Sequence, residues 1–192
     1  MTALVPAVFL DRDGTLIEEA GYLDSLDRLA LFTSTVDALR VLARGGFRLV
    51  VVTNQSGIAL GLFDEPFVRR THDALQARFE AAGARIDAWY FCPHHPAGQV
   101  PALTRACECR KPGPALARQA ANDLGIDLAR SWMVGDRWGD VRLADAAGMA
   151  GGVLVRTGYG RSAETRPTTD VMAAFVADDL MDAAAWILRQ GR

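Results

Sequence analysis

Residues 7–15 read Ala-Val-Phe-Leu-Asp-Arg-Asp-Gly-Thr, an apolar run that stops abruptly on two carboxylates, a glycine and a hydroxyl. Consecutive apolar residues bounded by a charged turn predict a short strand buried on both faces. Such a strand belongs to a parallel sheet with helices on either side, where neither face meets water. A second buried strand is read from Phe47-Arg48-Leu49-Val50-Val51-Val52, which is rich in β-branched residues. Between the two, Val36, Leu39, Arg40, Leu42 and Ala43 fall at helical spacing, with Thr33 or Ser34 as N-cap and Gly45-Gly46 as the stop. Strand, helix and strand make one βαβ unit.

The alternation continues to the end of the chain. A helix is predicted from about Asp64 to Ala82, with Pro66 in its first turn and Gly83 at its end, then a strand over Ile86 to Phe91. Pro112 to Leu124 reads as helix, Ser131 to Val134 as strand, Val141 to Ala147 as helix closed by Gly148, and Gly152 to Val155 as strand. A weak strand near Ala174 to Ala177 and a helix from about Asp179 to Gln190 complete the count. The fold class is therefore α/β, mostly parallel, and the length of 192 residues fits a single domain over 1–192. Two stretches break the alternation, Gly14 to Ala30 and Cys92 to Arg110. Connections of that length are usually functional or clipped by something else.

Half the residues are apolar and 23% are charged, which excludes a disordered or fibrous chain. With 21 basic against 23 acidic residues and no Lys/Arg block, the footprint of a nucleic-acid binder is missing. The longest apolar stretches fall far short of the roughly 18 residues that span a bilayer. Ala3 to Leu10 has no basic residue ahead of it and runs straight into charge, so it does not read as a signal peptide. A cytoplasmic protein, working as a monomer without nucleic-acid or membrane partners, is expected.

In an open α/β sheet, ligands bind outside the carboxyl ends of the strands. Here those ends carry Asp11-Arg12-Asp13-Gly14-Thr15, then Thr53-Asn54-Gln55-Ser56-Gly57, then Gly135-Asp136-Arg137-Trp138-Gly139-Asp140, and Lys111 opens the helix before the fourth strand. Carboxylates, a hydroxyl, helix-start amides and a lysine on one edge suit phosphoryl transfer. A phosphate monoester repels an attacking carboxylate, so a cation must bridge them, and oxygen ligands such as Asp11 and Asp136 suit Mg2+. Lys111 adds positive charge, and Thr53 with the amides after it can bind the transferring group. Asp11 can then act as nucleophile and Asp13 as acid and base. Each piece alone has a blander reading as a helix cap or loop carboxylate; their order and placement favour the functional one.

All three cysteines fall in one short segment, Cys92-Pro93-His94 and, after twelve intervening residues, Cys107-Glu108-Cys109. Three thiolates and an imidazole make a closed, structural zinc site that would clip a loop lacking a core of its own. The alternative is a free-thiol loop with a partly buried histidine. Arg110 follows the last cysteine, so the clip would set a guanidinium suited to a second phosphate or sugar hydroxyls, where the bland alternative is a surface ion pair. His72 reads as a helix-face residue and His95 as a surface neighbour.

Asp11-Arg12-Asp13-Gly14-Thr15, Thr53, Lys111 and Gly135-Asp136 with Asp140 resemble the four motifs of the haloacid dehalogenase (HAD) superfamily of phosphatases. The resemblance covers essentially the whole chain and implies a Rossmann-like core, obligate Mg2+ and an aspartyl-phosphate intermediate. The insertion after the second strand is short, so no large cap domain is implied. Cys92 to Gly98 leading to Cys107 to Pro112, together with Gly21-Tyr22, Val51 to Ala59 and Val153 to Gly158, resembles the D-glycero-D-manno-heptose 1,7-bisphosphate 7-phosphatase family. That resemblance implies removal of the 7-phosphate on the route to nucleotide-activated heptose for lipopolysaccharide core. By the family pattern Asp11 is nucleophile and Asp13 acid/base, while Asp11, Asp13 through its carbonyl, and Asp136 hold Mg2+, with Asp140 in support. Arg12, Glu19, Ala20, Gly21, Tyr22, Thr53, Asn54, Gln55, Ser56, Arg110, Lys111 and Arg137 line the substrate site in the same pattern.

The chain departs from that family at Leu60 and Leu62, where basic residues are usual, and at Arg137, where lysine is. Histidinol-phosphate phosphatases share the motifs and a similar zinc loop but have a shorter gap between its halves. Another small sugar-phosphate phosphatase, or a zinc-stabilised binding module without activity, are the remaining alternatives. The module would be favoured by loss of Asp11, Asp13, Lys111 or Asp136, and all four are present.

Overall fold

A computed structural model describes residues 3–190. Six parallel strands form one sheet: β1 (Ala7–Leu10), β2 (Arg48–Asn54), β3 (Ala88–Cys92), β4 (Trp132–Gly135), β5 (Gly151–Val155) and β6 (Phe175–Ala177). Their order is β3-β2-β1-β4-β5-β6. β1 pairs β2 on one side and β4 on the other, so the strand order reverses there. The crevice outside the ends of β1 and β4 is thus the topological switch point, where an α/β sheet receives its ligand.

Alternate residues of each strand enter separate cores. Val8 and Leu10 of β1, with Leu49, Val51, Val153 and Val155, pack under α1 (Thr35–Arg44), α3 (Glu65–Ala81) and α7 (Leu180–Gln190). Ala7 and Phe9, with Val50, Val52 and Met133, pack under α4 (Ala115–Leu124) and α5 (Trp138–Ala147). Two short helices, α2 (Ser56–Ala59) and α6 (Gly160–Glu164), follow β2 and β5. The predicted doubly covered α/β sheet is therefore present, and between β2 and β3 the chain inserts only α2 and α3.

Element boundaries differ from the sequence reading where a side chain redirects the backbone. Ser34 does precede α1, but its hydroxyl donates to Asp179, tying α1 to the start of α7 rather than capping its own helix. β3 starts at Ala88, not Ile86, because the Asp87 carboxylate accepts from the Leu49 amide and pairs with Arg48 at the strand's lead-in. Helix α4 starts at Ala115, not Pro112. Residues 110–114 form a tight turn in which Gly113 N–H donates to the Arg110 carbonyl, and a Cβ on Gly113 would strike the Glu108 carbonyl. Lys111 accordingly sits in that turn and opens no helix. Helix α5 starts three residues earlier than predicted because the Asp140 carboxylate accepts from the Arg137 amide.

The long stretch after β1 is anchored by its own apolar residues. Leu16, Ile17, Leu23 and Leu29 are buried in the core, and Arg28 reaches back to the carbonyls of Ala20 and Tyr22. No helix among the described residues is long and apolar enough to cross a membrane.

Candidate active site

Asp11 is the first residue past β1, and its amide donates to the Val134 carbonyl, which locks it beside β4. Its carboxylate accepts from the Arg12 amide at 2.7 Å and lies 2.8 Å from Lys111 Nζ. The same ammonium lies 2.6 Å from Asp140. Burial alone would push Lys111 down, but Asp11 and Asp140 overcome it and hold the lysine above its usual range. Lys111 is held in place from behind: Asn54 accepts from the Lys111 amide and donates to its carbonyl, at 3.0 and 3.2 Å. Both polar ends of Asn54 are therefore spent on positioning the lysine.

Asp136 follows β4 and is fully buried. Its Oδ2 accepts from the Tyr159 amide at 2.7 Å, while Oδ1 has no hydrogen-bond partner. Burial, reinforced by the charge of Asp11, pushes Asp136 up to about 8. Burial likewise lifts Asp140 to about 6, against the pull of Lys111. Carboxylate oxygens of Asp11, Asp136 and Asp140 lie within 4.8 Å of one another. One ammonium cannot neutralise three such groups, and an orphaned buried carboxylate oxygen needs a cation. The donor set, all oxygen, fits Mg2+. A Cβ on Gly14 would collide with the Asp136 carboxylate, so only glycine, here at φ +76°, lets the first loop close over it.

The sign of the Asp136 shift gives a testable pH dependence. Ordinary aspartate ionises near 4, whereas the folded protein without metal retains this proton to about 8, so metal-free stability falls as pH rises through that window. Mg2+ binds the ionised form. Thermal unfolding with Mg2+ at a hundred times its Kd should raise Tm by about 5–10 °C at pH 8 and by less at pH 5. Equal shifts at both pH values would remove Asp136 as a ligand.

Asp13 is clamped. Arg12 donates to both its carboxylate oxygens at 2.8–2.9 Å, and Gln55 Nε2 adds a bond at 2.9 Å. Gln55 also accepts from Arg12 and donates to the Thr53 hydroxyl. Arg12, predicted as a substrate group, is buried with its charge engaged by Asp13. Ser56 accepts from Arg110 at 2.6 Å, and Arg110 also donates to the His94 carbonyl. Glu19 accepts from the Gly21 amide, and its burial, then the nearby Asp13 charge, raise its pKa.

These groups surround a cleft of about 380 Å³ lined by Asp11, Arg12, Asp13, Glu19, Gly21, Tyr22, Thr53 to Ser56, Arg110, Lys111, Arg137 and Asp140. Ala20, also expected at the substrate site, packs partly on the core with its carbonyl on Arg28 and is not among the residues lining this cleft. Leu60 and Leu62 do not line the cleft either. Phe63, His95 and Tyr159 do, and the sequence reading missed them. Tyr159 lies only four residues past β5, where the strand-end rule points; His95, which reads as a surface neighbour of His94, carries no sequence signal that separates it from one.

The second cluster closes the loop after β3. Sγ atoms of Cys92, Cys107 and Cys109 stand 3.0–3.5 Å apart, and His94 Nδ1 is 3.2 Å from Cys109 and 3.7 Å from Cys92. All three cysteines are free thiols. Three thiols and an imidazole converging without a disulfide could hold a zinc ion.

A HAD-hydrolase-like family model matches residues 108–183. The D-glycero-beta-D-manno-heptose-1,7-bisphosphate 7-phosphatase of Yersinia pestis is 44% identical over 178 residues, covering 93% of this chain and 95% of that protein. Its counterpart in Escherichia coli strain K12 is 41% identical over 93% of both chains. Among solved structures, D,D-heptose 1,7-bisphosphate phosphatase from B. bronchiseptica, complexed with magnesium and phosphate, superposes with a TM-score of 0.85 at 32% identity, covering 96% of this chain and 99% of that one. Fold, strand-end carboxylates and these likenesses together define a phosphatase of the HAD class, a hydrolase acting on phosphoric monoesters. Within that class the chain belongs to the D-glycero-D-manno-heptose 1,7-bisphosphate 7-phosphatase family.

Proposed function

We propose that this protein hydrolyses the 7-phosphate of D-glycero-D-manno-heptose 1,7-bisphosphate, a step toward nucleotide-activated heptose for lipopolysaccharide core. The observation that carries the reading is the Asp11–Lys111 contact of 2.8 Å at the sheet's switch point, in a chain 44% identical to a phosphatase of that name. Asp11, Asp136 and the Asp13 carbonyl would hold Mg2+, which when bound neutralises the phosphate dianion against the carboxylates. An Asp11 carboxylate oxygen then attacks phosphorus, the bond from phosphorus to the sugar oxygen breaks, and an aspartyl phosphate forms. Lys111 and the Thr53 hydroxyl face the transferring oxygens. Asp13 gives its proton to the leaving sugar oxygen and afterwards takes one from the water that attacks the acyl phosphate, releasing inorganic phosphate. The Arg12–Gln55 clamp holds the Asp13 carboxylate as a proton acceptor, the arrangement the second transfer needs; for the first, one Asp13 oxygen must leave Arg12 and carry a proton.

Zinc, held by Cys92, His94, Cys107 and Cys109, is assigned a structural role. Four protein donors would leave such an ion no open coordination position, and holding the loop there would help place Arg110, which reaches the cleft beside Ser56. Arg110, Arg137, Glu19 and Tyr22 would meet the sugar and its second phosphate.

The test is steady-state turnover with Mg2+ on both anomers of heptose 1,7-bisphosphate, fructose 1,6-bisphosphate and histidinol phosphate, following which phosphate leaves. One heptose anomer, cleaved at position 7, should exceed the others in kcat/KM by at least about tenfold. Preference for histidinol phosphate, or uniformly slow turnover, would overturn the substrate assignment and leave the catalytic core standing.

A further inference from the structure

Three arginines line the cleft, and two are pinned. Arg12 is gripped by Asp13 and Gln55, and Arg110 donates to Ser56 and the His94 carbonyl. Arg137 is different. Its side chain is 56% exposed, its ionic partners Glu19 and Asp136 stand off at 3.8 and 4.0 Å, and among the described residues its guanidinium makes no hydrogen bond. Its closest support is the ring of Tyr159, with the guanidinium carbon 3.9 Å from the ring centroid.

We propose that Tyr159 is a positioning residue for substrate recognition: its ring holds the Arg137 guanidinium over the cleft so that the charge is presented to the non-reacting phosphate of a sugar bisphosphate. This rests on the reading of the cleft given above. The Tyr159 backbone is itself fixed, because its amide donates to the buried Asp136 carboxylate. The ring is thus carried on the same rigid point as the carboxylate end of the site, and the geometry of Arg137 is referred to the reacting centre. A planar guanidinium stacks on an aromatic face, which a point-like ammonium does less well, so Arg137 and Tyr159 work as a matched pair. Both also border a groove running on past the cleft toward Ser162 and Arg166, into which an unsupported Arg137 side chain would be free to swing.

The experiment measures kinetics of wild type, Tyr159→Ala, Tyr159→Phe, Arg137→Ala and the double alanine variant, on heptose 1,7-bisphosphate and on para-nitrophenyl phosphate at saturating Mg2+. Tyr159→Ala should raise KM for the bisphosphate about 2- to 30-fold, the range expected of a ring–guanidinium contact, with kcat changed less than about twofold. Tyr159→Phe should restore it, since the ring and not the hydroxyl makes the contact. In the Arg137→Ala background, removing the ring should add nothing further. KM for the aryl phosphate, which carries no second phosphate, should change less than KM for the bisphosphate, and the Mg2+ concentration giving half-maximal activity should stay unchanged, since the Tyr159 amide on Asp136 is kept in every variant. A Tyr159→Phe variant as impaired as alanine, an effect that persists without Arg137, or an altered Mg2+ requirement would each overturn the proposal. If wild type prefers the bisphosphate and Tyr159→Ala does not differ from it, this inference fails alone; if wild type shows no such preference, the substrate assignment fails and takes it along.

Discussion

Asp11→Asn should reduce turnover by at least about 10³-fold while leaving the fold and the zinc content intact. The asparagine amide keeps the shape of the side chain but cannot displace the sugar oxygen from phosphorus. It also removes one of three buried carboxylates. Asp136 and Asp140 are both pushed up partly by the charge of Asp11, so its loss lowers the repulsion that the metal-free site carries. Lys111 retains Asp140 at 2.6 Å, so no buried ammonium is left without a partner. The variant should therefore show an unchanged or higher Tm without Mg2+, together with a smaller Tm gain on adding it. This pairing of lost turnover with kept stability separates chemistry from folding. Residual activity above about a tenth of wild type would remove Asp11 as the nucleophile.

The second large effect is expected from Cys107→Ser. Its sulfur lies 3.5 Å from Cys92 and 3.2 Å from Cys109, so the change removes one of four convergent donors. Zinc measured by atomic absorption should fall from one per chain to near zero. The loop from Cys92 to Arg110 has only the three-residue turn Pro101–Leu103 as regular structure, so it should lose amide protection before β1 and β2 do. Because Arg110 and Lys111 leave that loop directly into the cleft, kcat/KM should drop about 10- to 100-fold. Full zinc occupancy in the variant would show that the ligand set is wrong.

His72 illustrates a residue whose role the sequence could not disclose. Its spacing marks it as a helix-face residue; in the fold it is buried, stacked on Trp89 at 4.7 Å between ring centroids and facing Arg12. Burial, then the charges of Arg12 and Arg69, lower its pKa to about 3. Its neutral form belongs to the fold, so the stability tied to it is complete above about pH 6.5 and is lost as pH falls toward 3. Helical periodicity marks which face is buried, but not which strand residues will meet that face.

Most strands and the chemistry at their ends were legible because they are local. Apolar runs such as Ala7 to Leu10 and Leu49 to Val52 bury both faces whatever their neighbours are, and the Asp, Thr and Gly that stop them must lie at the sheet's edge. The grouping of Cys92, His94, Cys107 and Cys109 was legible for a similar reason, since all four lie within one short loop. Boundaries slipped where a long-range bond or a tight turn redirects the backbone: at Asp87, whose carboxylate bonds the Leu49 amide and delays β3, and at Gly113, whose turn postpones α4.

The sequence by itself determined the α/β class, the strand-end carboxylates and lysine, and the donor groups that could hold two metal ions. Tertiary structure alone decided that the strand order reverses at β1, that Asn54 grips the backbone of Lys111, and that Gln55 joins Arg12 and Asp13. It also decided that Arg137 leans on Tyr159. The reason is physical. A strand or a capped helix is specified by residues within a few positions of one another. These other contacts join groups as far apart in the chain as Asn54 and Lys111, 57 residues, and they form only once packing of the whole sheet has brought their elements together.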